Sequence, residues 1–162
     1  MNGATAQADV LGIFGREGLD LAARWTTPAA STPTYKAMKM YRNYDGSKSS
    51  FGDTSVAAAA PNPDAVSAFA AQRTSDGAVT VMVISKQLTG STPATINLAN
   101  FSNRPTAEAW QLTSANAIVR LADVPLAGST LSVTVPPQSI TLLVVPKSAT
   151  PPGAPANLRL LP

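Results

Sequence analysis

The stretch Val79-Thr80-Val81-Met82-Val83-Ile84 decides the fold class, because valine occupies every second position along it. Successive side chains of a β-strand point to opposite faces of the sheet, so residues two apart share a face. The segment Leu131-Ser132-Val133-Thr134-Val135 repeats this pattern, with polar residues between the apolar ones. Each segment therefore predicts a strand that packs one face into a core.

Similar short segments recur along the chain after residue 52. Turn-forming residues separate them, as in Ser75-Asp76-Gly77 and Pro136-Pro137. Regularly spaced short strands with such turns are typical of an antiparallel β-sandwich, which we expect over residues 52–147. The eight predicted strands are Thr54–Ala60, Ala65–Arg73, Ala78–Lys86, Ala94–Leu98, Thr106–Thr113, Ile118–Leu121, Thr130–Val135 and Ser139–Val145.

Residues 1–51 have a different pattern. Apolar side chains recur at helical spacing over residues 4–14, where Gly12 interrupts them, and Gly15 follows directly. The segment Leu19–Trp25 then predicts a strand.

A second helix is predicted over Tyr35–Tyr44, with Thr34 as its N-cap. Helix, strand and helix in this order are typical of an α/β unit. The expected fold is thus mainly β, with a sandwich that a helix-strand-helix segment precedes.

The charge pattern excludes several kinds of partner. The chain has 12 basic and 9 acidic residues, a net charge of +3, and its basic residues are scattered. Nucleic-acid binding requires a basic stripe or patch, so we expect none. The longest apolar run, Leu142–Val145, is too short to cross a membrane.

The composition also limits the chemistry. The chain contains no cysteine and no histidine, which excludes disulfides, histidine-based triads and ordinary zinc sites. No metal or other cofactor is therefore expected. Met1 is followed by Asn-Gly-Ala-Thr-Ala-Gln, which does not predict a signal peptide. The proline-rich residues 148–162 predict a linker.

An ordered series of sequence blocks resembles glycoside hydrolase family 44, most clearly over the first 56 residues. The resemblance covers roughly residues 2–147 and is weaker in the sandwich. The blocks are Asn2-Gly3-Ala4, Ala8-Asp9-Val10-Leu11-Gly12-Ile13-Phe14-Gly15-Arg16-Glu17-Gly18, Ala23-Arg24-Trp25, Tyr41-Arg42-Asn43-Tyr44-Asp45-Gly46 and Phe51-Gly52-Asp53-Thr54-Ser55-Val56.

This resemblance implies a secreted endo-β-1,4-glucanase that acts on cellulose, xyloglucan or xylan. The family joins a (β/α)8 barrel of the TIM type to a C-terminal β-sandwich, so residues 1–51 would be the last helix-strand-helix segment of the barrel. Family members are retaining enzymes whose two catalytic glutamates follow the fourth and seventh barrel strands. Both would lie before Met1, so we expect this chain alone to be inactive.

Trp25 is the substrate-binding residue that the resemblance implies. It would stand at the C-terminal end of the eighth barrel strand, the face on which barrel active sites are built. An indole there can stack on a glucose ring. The alternative is a tryptophan packed between barrel and sandwich.

The two glutamates of the chain, Glu17 and Glu108, are expected to be structural. Glu17 lies between Arg16 and Gly18 in a turn, where an ion pair with Arg16 is the simplest role. Glu108 lies in a predicted strand, at an exposed or edge position.

Two further hypotheses stay open. The sandwich could be a non-catalytic carbohydrate-binding module, but its aromatic residues are only Phe69, Phe101 and Trp110, and we expect Phe69 and Trp110 to be buried. The second hypothesis concerns residues 1–51 without the rest of the barrel. They could fold over the sandwich, stay mobile or mediate self-association through exposed apolar residues.

Overall fold

The computed structural model describes residues 1–101 and 104–148. Two helices come first, α1 (Asn2–Arg16) and α2 (Pro33–Arg42). The predicted linker lies outside the described residues, apart from Ser148. The strands of the described residues are β1 (Thr54–Val56), β2 (Val66–Gln72), β3 (Val79–Ser85), β4 (Thr92–Asn97), β5 (Thr106–Leu112), β6 (Ile118–Arg120), β7 (Val124–Ala127), β8 (Thr130–Val135) and β9 (Ser139–Val145).

The strands pair antiparallel throughout and form one curled sheet with two layers. The first layer has the order β1-β2-β3-β9-β5, and β6 also pairs with β5. The second layer has the order β7-β8-β4. A two-residue ladder, in which Thr106 faces Pro125 and Ala107 faces Val124, joins the layers. The predicted mainly β fold is confirmed.

Strands β3 and β9 are buried on both faces. Val81 and Leu143 pack between the two layers. Met82 and Leu142 pack on the opposite face, against the helices. The prediction of one core face for residues 79–84 is therefore incomplete, because α1 and α2 cover the second face. This explains why β3 has no solvent-facing side and why Thr80 is buried.

Helix α1 continues through both glycines that were expected to interrupt the helical pattern, so that expectation is wrong. Gly12 is buried against the ring of Phe69 on β2, and a Cβ built on Gly12 would lie 2.3 Å from Cδ2 of Phe69. Only glycine allows this close approach of helix to sheet. Packing against the sheet thus outweighs the weak helix propensity of glycine.

Helix α2 starts earlier than predicted. Its N-cap is Thr32 rather than Thr34, because the Thr32 hydroxyl accepts a 3.3 Å hydrogen bond from the Tyr35 amide. Pro33 then occupies the first helical turn, where a missing N–H costs nothing. The helix ends at Arg42 rather than Tyr44.

Leu19–Trp25 forms no strand, so this prediction is wrong for the described residues. A strand needs a neighbour that satisfies its backbone N–H and C=O groups. None of β1 to β9 pairs with this segment, and its side chains are exposed.

Two strand predictions differ from the structure by two or more residues at one end, and one observed strand was not predicted. β1 ends at Val56 instead of Ala60, and β4 starts at Thr92 instead of Ala94. β7 has no counterpart among the predicted strands, and it contains Pro125, a residue that is rare inside strands. Pro125 is accommodated because it lies in the short ladder where the sheet curls.

Candidate functional site

Trp25 is 99% exposed and is the most exposed large apolar residue of the described part of the chain. Leu21 is 86% exposed, and Leu19 is half exposed. The indole does not pack against the sandwich within the described residues. An indole presented in this way can stack on a flat apolar face such as that of a pyranose ring.

Arg24 bridges the loop across Trp25. Its Nε donates a 3.0 Å hydrogen bond to the Thr26 carbonyl, and its Nη1 donates a 2.6 Å hydrogen bond to Oε1 of Gln7 on α1. The peptide on both sides of Trp25 is therefore tied to helix α1.

A basic cleft of about 400 Å³ lies between this loop and α2. Its cations are Arg24, Lys39 and Arg42, with Tyr35 and Met38 beside them. Guanidinium and ammonium groups donate hydrogen bonds, so such a cleft suits hydroxyl-rich or anionic ligands.

Helix α1 is fixed to the sandwich by polar contacts as well as by apolar packing. The Asp9 carboxylate accepts hydrogen bonds from Ser67 on β2 and, at 2.9 Å, from the Lys86 ammonium just after β3. The Tyr41 hydroxyl of α2 donates a 2.8 Å hydrogen bond to the Ala8 carbonyl of α1. Burial, with a smaller effect of the nearby Asp9 charge, raises the pKa of Tyr41 far above its usual range.

The start of α2 is fixed to the loop between β5 and β6. The side-chain amide of Asn116 donates a 2.8 Å hydrogen bond to the Ser31 carbonyl, and Lys36 donates to the Asn116 carbonyl. Both helices thus rest on the sandwich at more than one point.

The two glutamates have structural partners. Glu17 forms an exposed 2.8 Å ion pair with Arg16, which confirms the expected role. Glu108 on β5 lies 3.9 Å from Arg120 on β6 and is half exposed.

Asp45 and Asp53 hold turns, as their positions beside glycines predict. Partial burial would raise the pKa of Asp45, but hydrogen bonds from Ser49 and Ser47 outweigh it and lower that pKa. Hydrogen bonds from the hydroxyl and amide of Thr74 lower the pKa of Asp53. Within the described residues, no group of three or more acidic side chains is arranged to hold a metal ion.

The aromatic residues of the sandwich do not form an exposed row. Phe69 is buried, as expected, beneath α1. Trp110 is half-buried, with the Tyr44 ring 5.4 Å away and the Arg120 guanidinium 5.8 Å above it. Phe101 packs at the edge of the core between the layers. This arrangement gives no support to a sugar-binding face on the sandwich.

The family resemblance predicts Trp25 as a candidate site residue, but the sequence did not predict the contacts of the loop around it. Arg24 stands next to Trp25 in the family 44 resemblance, yet nothing in the sequence indicated that Gln7 is its partner. Asp9 and Lys86 are 77 residues apart, so only the packing of α1 on the sheet reveals their pairing. None of the helices in the described ranges has the length and apolar character needed to cross a membrane.

Comparisons with known proteins were made by sequence and by structure. No protein-family model matches the chain. The chain is 30% identical to "Endoglucanase A" of Paenibacillus lautus over 155 residues, which are 94% of this chain and 22% of that protein. The crystal structure of a bifunctional glucanase-xylanase from a metagenome library is 71% identical, with a TM-score of 0.89. That match covers 90% of this chain and 28% of the other.

A glycoside hydrolase family 44 xyloglucanase of Paenibacillus polymyxa is 28% identical with a TM-score of 0.81. It matches over 88% of this chain and 28% of its own length. The chain thus spans less than a third of the length of each of these relatives. The chain is therefore homologous to the C-terminal portion of the glycoside hydrolase family 44 endoglucanases and xyloglucanases.

Proposed function

We propose that this chain serves as the C-terminal portion of an extracellular endo-β-1,4-glucanase that hydrolyses cellulose or xyloglucan. The observation that carries this proposal is the 71% identity to a bifunctional glucanase-xylanase over 90% of the chain. The likeness to a family 44 xyloglucanase supports xyloglucan as a substrate class.

In this proposal residues 1–51 are the last helix-strand-helix segment of a (β/α)8 barrel, and residues 52–147 are the supporting sandwich. The exposed segment Leu19–Trp25 then corresponds to the eighth barrel strand, with Leu19 and Leu21 beside neighbouring barrel strands and Trp25 open at its C-terminal end. The exposed side chains of Leu19 and Leu21 support this, because an apolar strand without neighbours is unfavourable in water.

Trp25 supplies a stacking platform for a sugar ring of the substrate. Its complete exposure and the hydrogen-bond donors of the neighbouring cleft support this role. The flat indole can bury the C–H face of a pyranose ring, which orients one ring of the polysaccharide.

The catalytic carboxylates come from elsewhere in the enzyme. A retaining glycosidase needs two carboxyl groups about 5–5.5 Å apart. Glu17 and Glu108 belong to different elements, and each pairs with an arginine, Arg16 and Arg120 respectively. We therefore expect the chain alone to bind sugar weakly and to hydrolyse nothing.

The test is a reducing-sugar assay on carboxymethylcellulose and xyloglucan. The purified 162-residue chain should release no product, and a family 44 enzyme that ends in this chain should release product. Hydrolysis by the chain alone, abolished by Glu17→Gln or Glu108→Gln, would contradict the proposal.

Self-association of the chain follows from the same surface. Leu19 and Leu21 expose apolar area that the barrel would cover, so copies of the chain should associate through it at high concentration. Light scattering should then show a mass that rises with concentration, and Leu21→Ser should reduce the rise. A strict monomer at all concentrations would contradict this association.

A further inference from the structure

We propose that Arg24 is the positioning residue for Trp25, and that through Gln7 it couples the sugar platform to helix α1. The proposal rests on the proposed function, in which Trp25 stacks on the substrate. It identifies the contacts that hold the Trp25 loop in place.

Trp25 needs such a restraint because its own side chain has no packing within the described residues. The Arg24 guanidinium reaches past Trp25 to the Thr26 carbonyl at 3.0 Å. This bond closes a small ring of main chain and side chain around Trp25. The ring restricts the backbone dihedrals of Trp25, which fixes the Cα–Cβ direction from which the indole extends.

The second bond connects the ring to the rigid part of the molecule. Nη1 of Arg24 lies 2.6 Å from Oε1 of Gln7, which stands in α1 next to the buried Ala8. Helix α1 is itself held by the Asp9 and Lys86 ion pair and by the Tyr41 bond to Ala8. A continuous series of contacts therefore runs from the sandwich to the loop of Trp25.

Arginine is needed for this role because its planar group donates in several fixed directions at once. Lysine has a single ammonium on a flexible stem and would not hold the Thr26 carbonyl and the Gln7 amide in one fixed geometry. Arg24→Lys is therefore an informative variant, because it keeps the charge and removes the bridge.

The first experiment measures motion directly in the 162-residue chain labelled with ¹⁵N. The {¹H}-¹⁵N nuclear Overhauser effect of the Trp25 amide and indole should fall in Arg24→Gln, in Arg24→Lys and in Gln7→Ala. Lys39→Gln removes a charge from the same cleft and should leave both values unchanged. If Arg24→Gln leaves the Trp25 values at those of the wild type, the positioning role is overturned.

The second experiment measures kcat and KM on xyloglucan oligosaccharides, in a family 44 enzyme that carries this chain. Loss of one orienting hydrogen bond should raise KM about two- to tenfold in Arg24→Gln and Gln7→Ala, with a smaller change in kcat. If Trp25 becomes mobile and KM stays the same, Arg24 still positions the loop and the stacking role of Trp25 fails. If both remain unchanged, the positioning proposal fails.

Discussion

The Asp9 carboxylate of α1 lies 2.9 Å from the Lys86 ammonium, which stands just after β3. Both side chains are about four-fifths shielded from water, and Asp9 also accepts a hydrogen bond from Ser67. This pair joins the helical segment to the sandwich across 77 residues of sequence. It is the polar counterpart of the apolar contact between α1 and Phe69.

Removing one partner of this pair should destabilise the chain. Asp9→Ala leaves the Lys86 charge largely shielded from water and without its carboxylate, which should lower the free energy of unfolding by about 1–3 kcal/mol. Urea unfolding followed by circular dichroism measures this change. Glu17→Ala, which breaks the exposed pair with Arg16, is the matched control and should change stability by less than about 0.5 kcal/mol. Equal effects of the two variants would show that the Asp9 contact does not hold α1 in place.

The glycines of α1 provide a sharper test of the helix packing. A Cβ at Gly12 would overlap the Phe69 ring, whereas a Cβ at Gly15 has no heavy atom within 4 Å. Gly12→Ala should therefore cost about 1–3 kcal/mol through overpacking, despite the better helix propensity of alanine. Gly15→Ala should instead stabilise the chain by about 0.5–1 kcal/mol.

Thermal unfolding of both variants separates packing from propensity. Opposite signs are expected for the two substitutions. If Gly12→Ala stabilises the chain as Gly15→Ala does, α1 does not pack on β2 in solution.

Burial of Tyr41 predicts a dependence of stability on alkaline pH. The pKa of Tyr41 in the folded chain is raised above the unfolded value of about 10, so the folded state holds its proton more tightly. The contribution of Tyr41 is fully present below pH 10 and is lost as the pH rises above it. Urea midpoints between pH 8 and pH 11 should fall more steeply in the wild type than in Tyr41→Phe.

The Tyr41→Phe variant also loses the hydrogen bond to the Ala8 carbonyl. It should be less stable than the wild type by about 0.5–1.5 kcal/mol at pH 7. Parallel pH profiles for the two proteins would mean that the Tyr41 hydroxyl is accessible to water in the folded chain.

Individual strands with alternating side chains were predictable from the sequence, whereas contacts between elements were not. The alternation in residues 79–84 identified β3, and its burial on both faces became clear only when the helices were placed on the sheet. Gly12 looked like a helix break because its partner, Phe69, is distant in sequence. β7 was not predicted, and its short length and Pro125 give little local signal for a strand.

At the candidate site, too, contacts between residues distant in the sequence could not be predicted from the sequence. Trp25 was predicted from the family resemblance, which rests on short sequence blocks that occur in the same order as in family 44. The Arg24 bond to Gln7 connects the loop between the two helices to α1, and no spacing rule predicts it. The strand predicted over Leu19–Trp25 did not form, because a strand depends on neighbours that the sequence of the segment does not contain.

The measurement that tests the central claim most directly is kcat/KM on xyloglucan oligosaccharides for Trp25→Ala, in a family 44 enzyme that carries this chain. Loss of the sugar platform should lower kcat/KM about two- to tenfold. Trp110→Phe, which changes the half-buried tryptophan beside Tyr44, should leave it within about twofold. If Trp25→Ala leaves kcat/KM at the wild-type value, Trp25 does not contact the substrate and the proposed site is wrong.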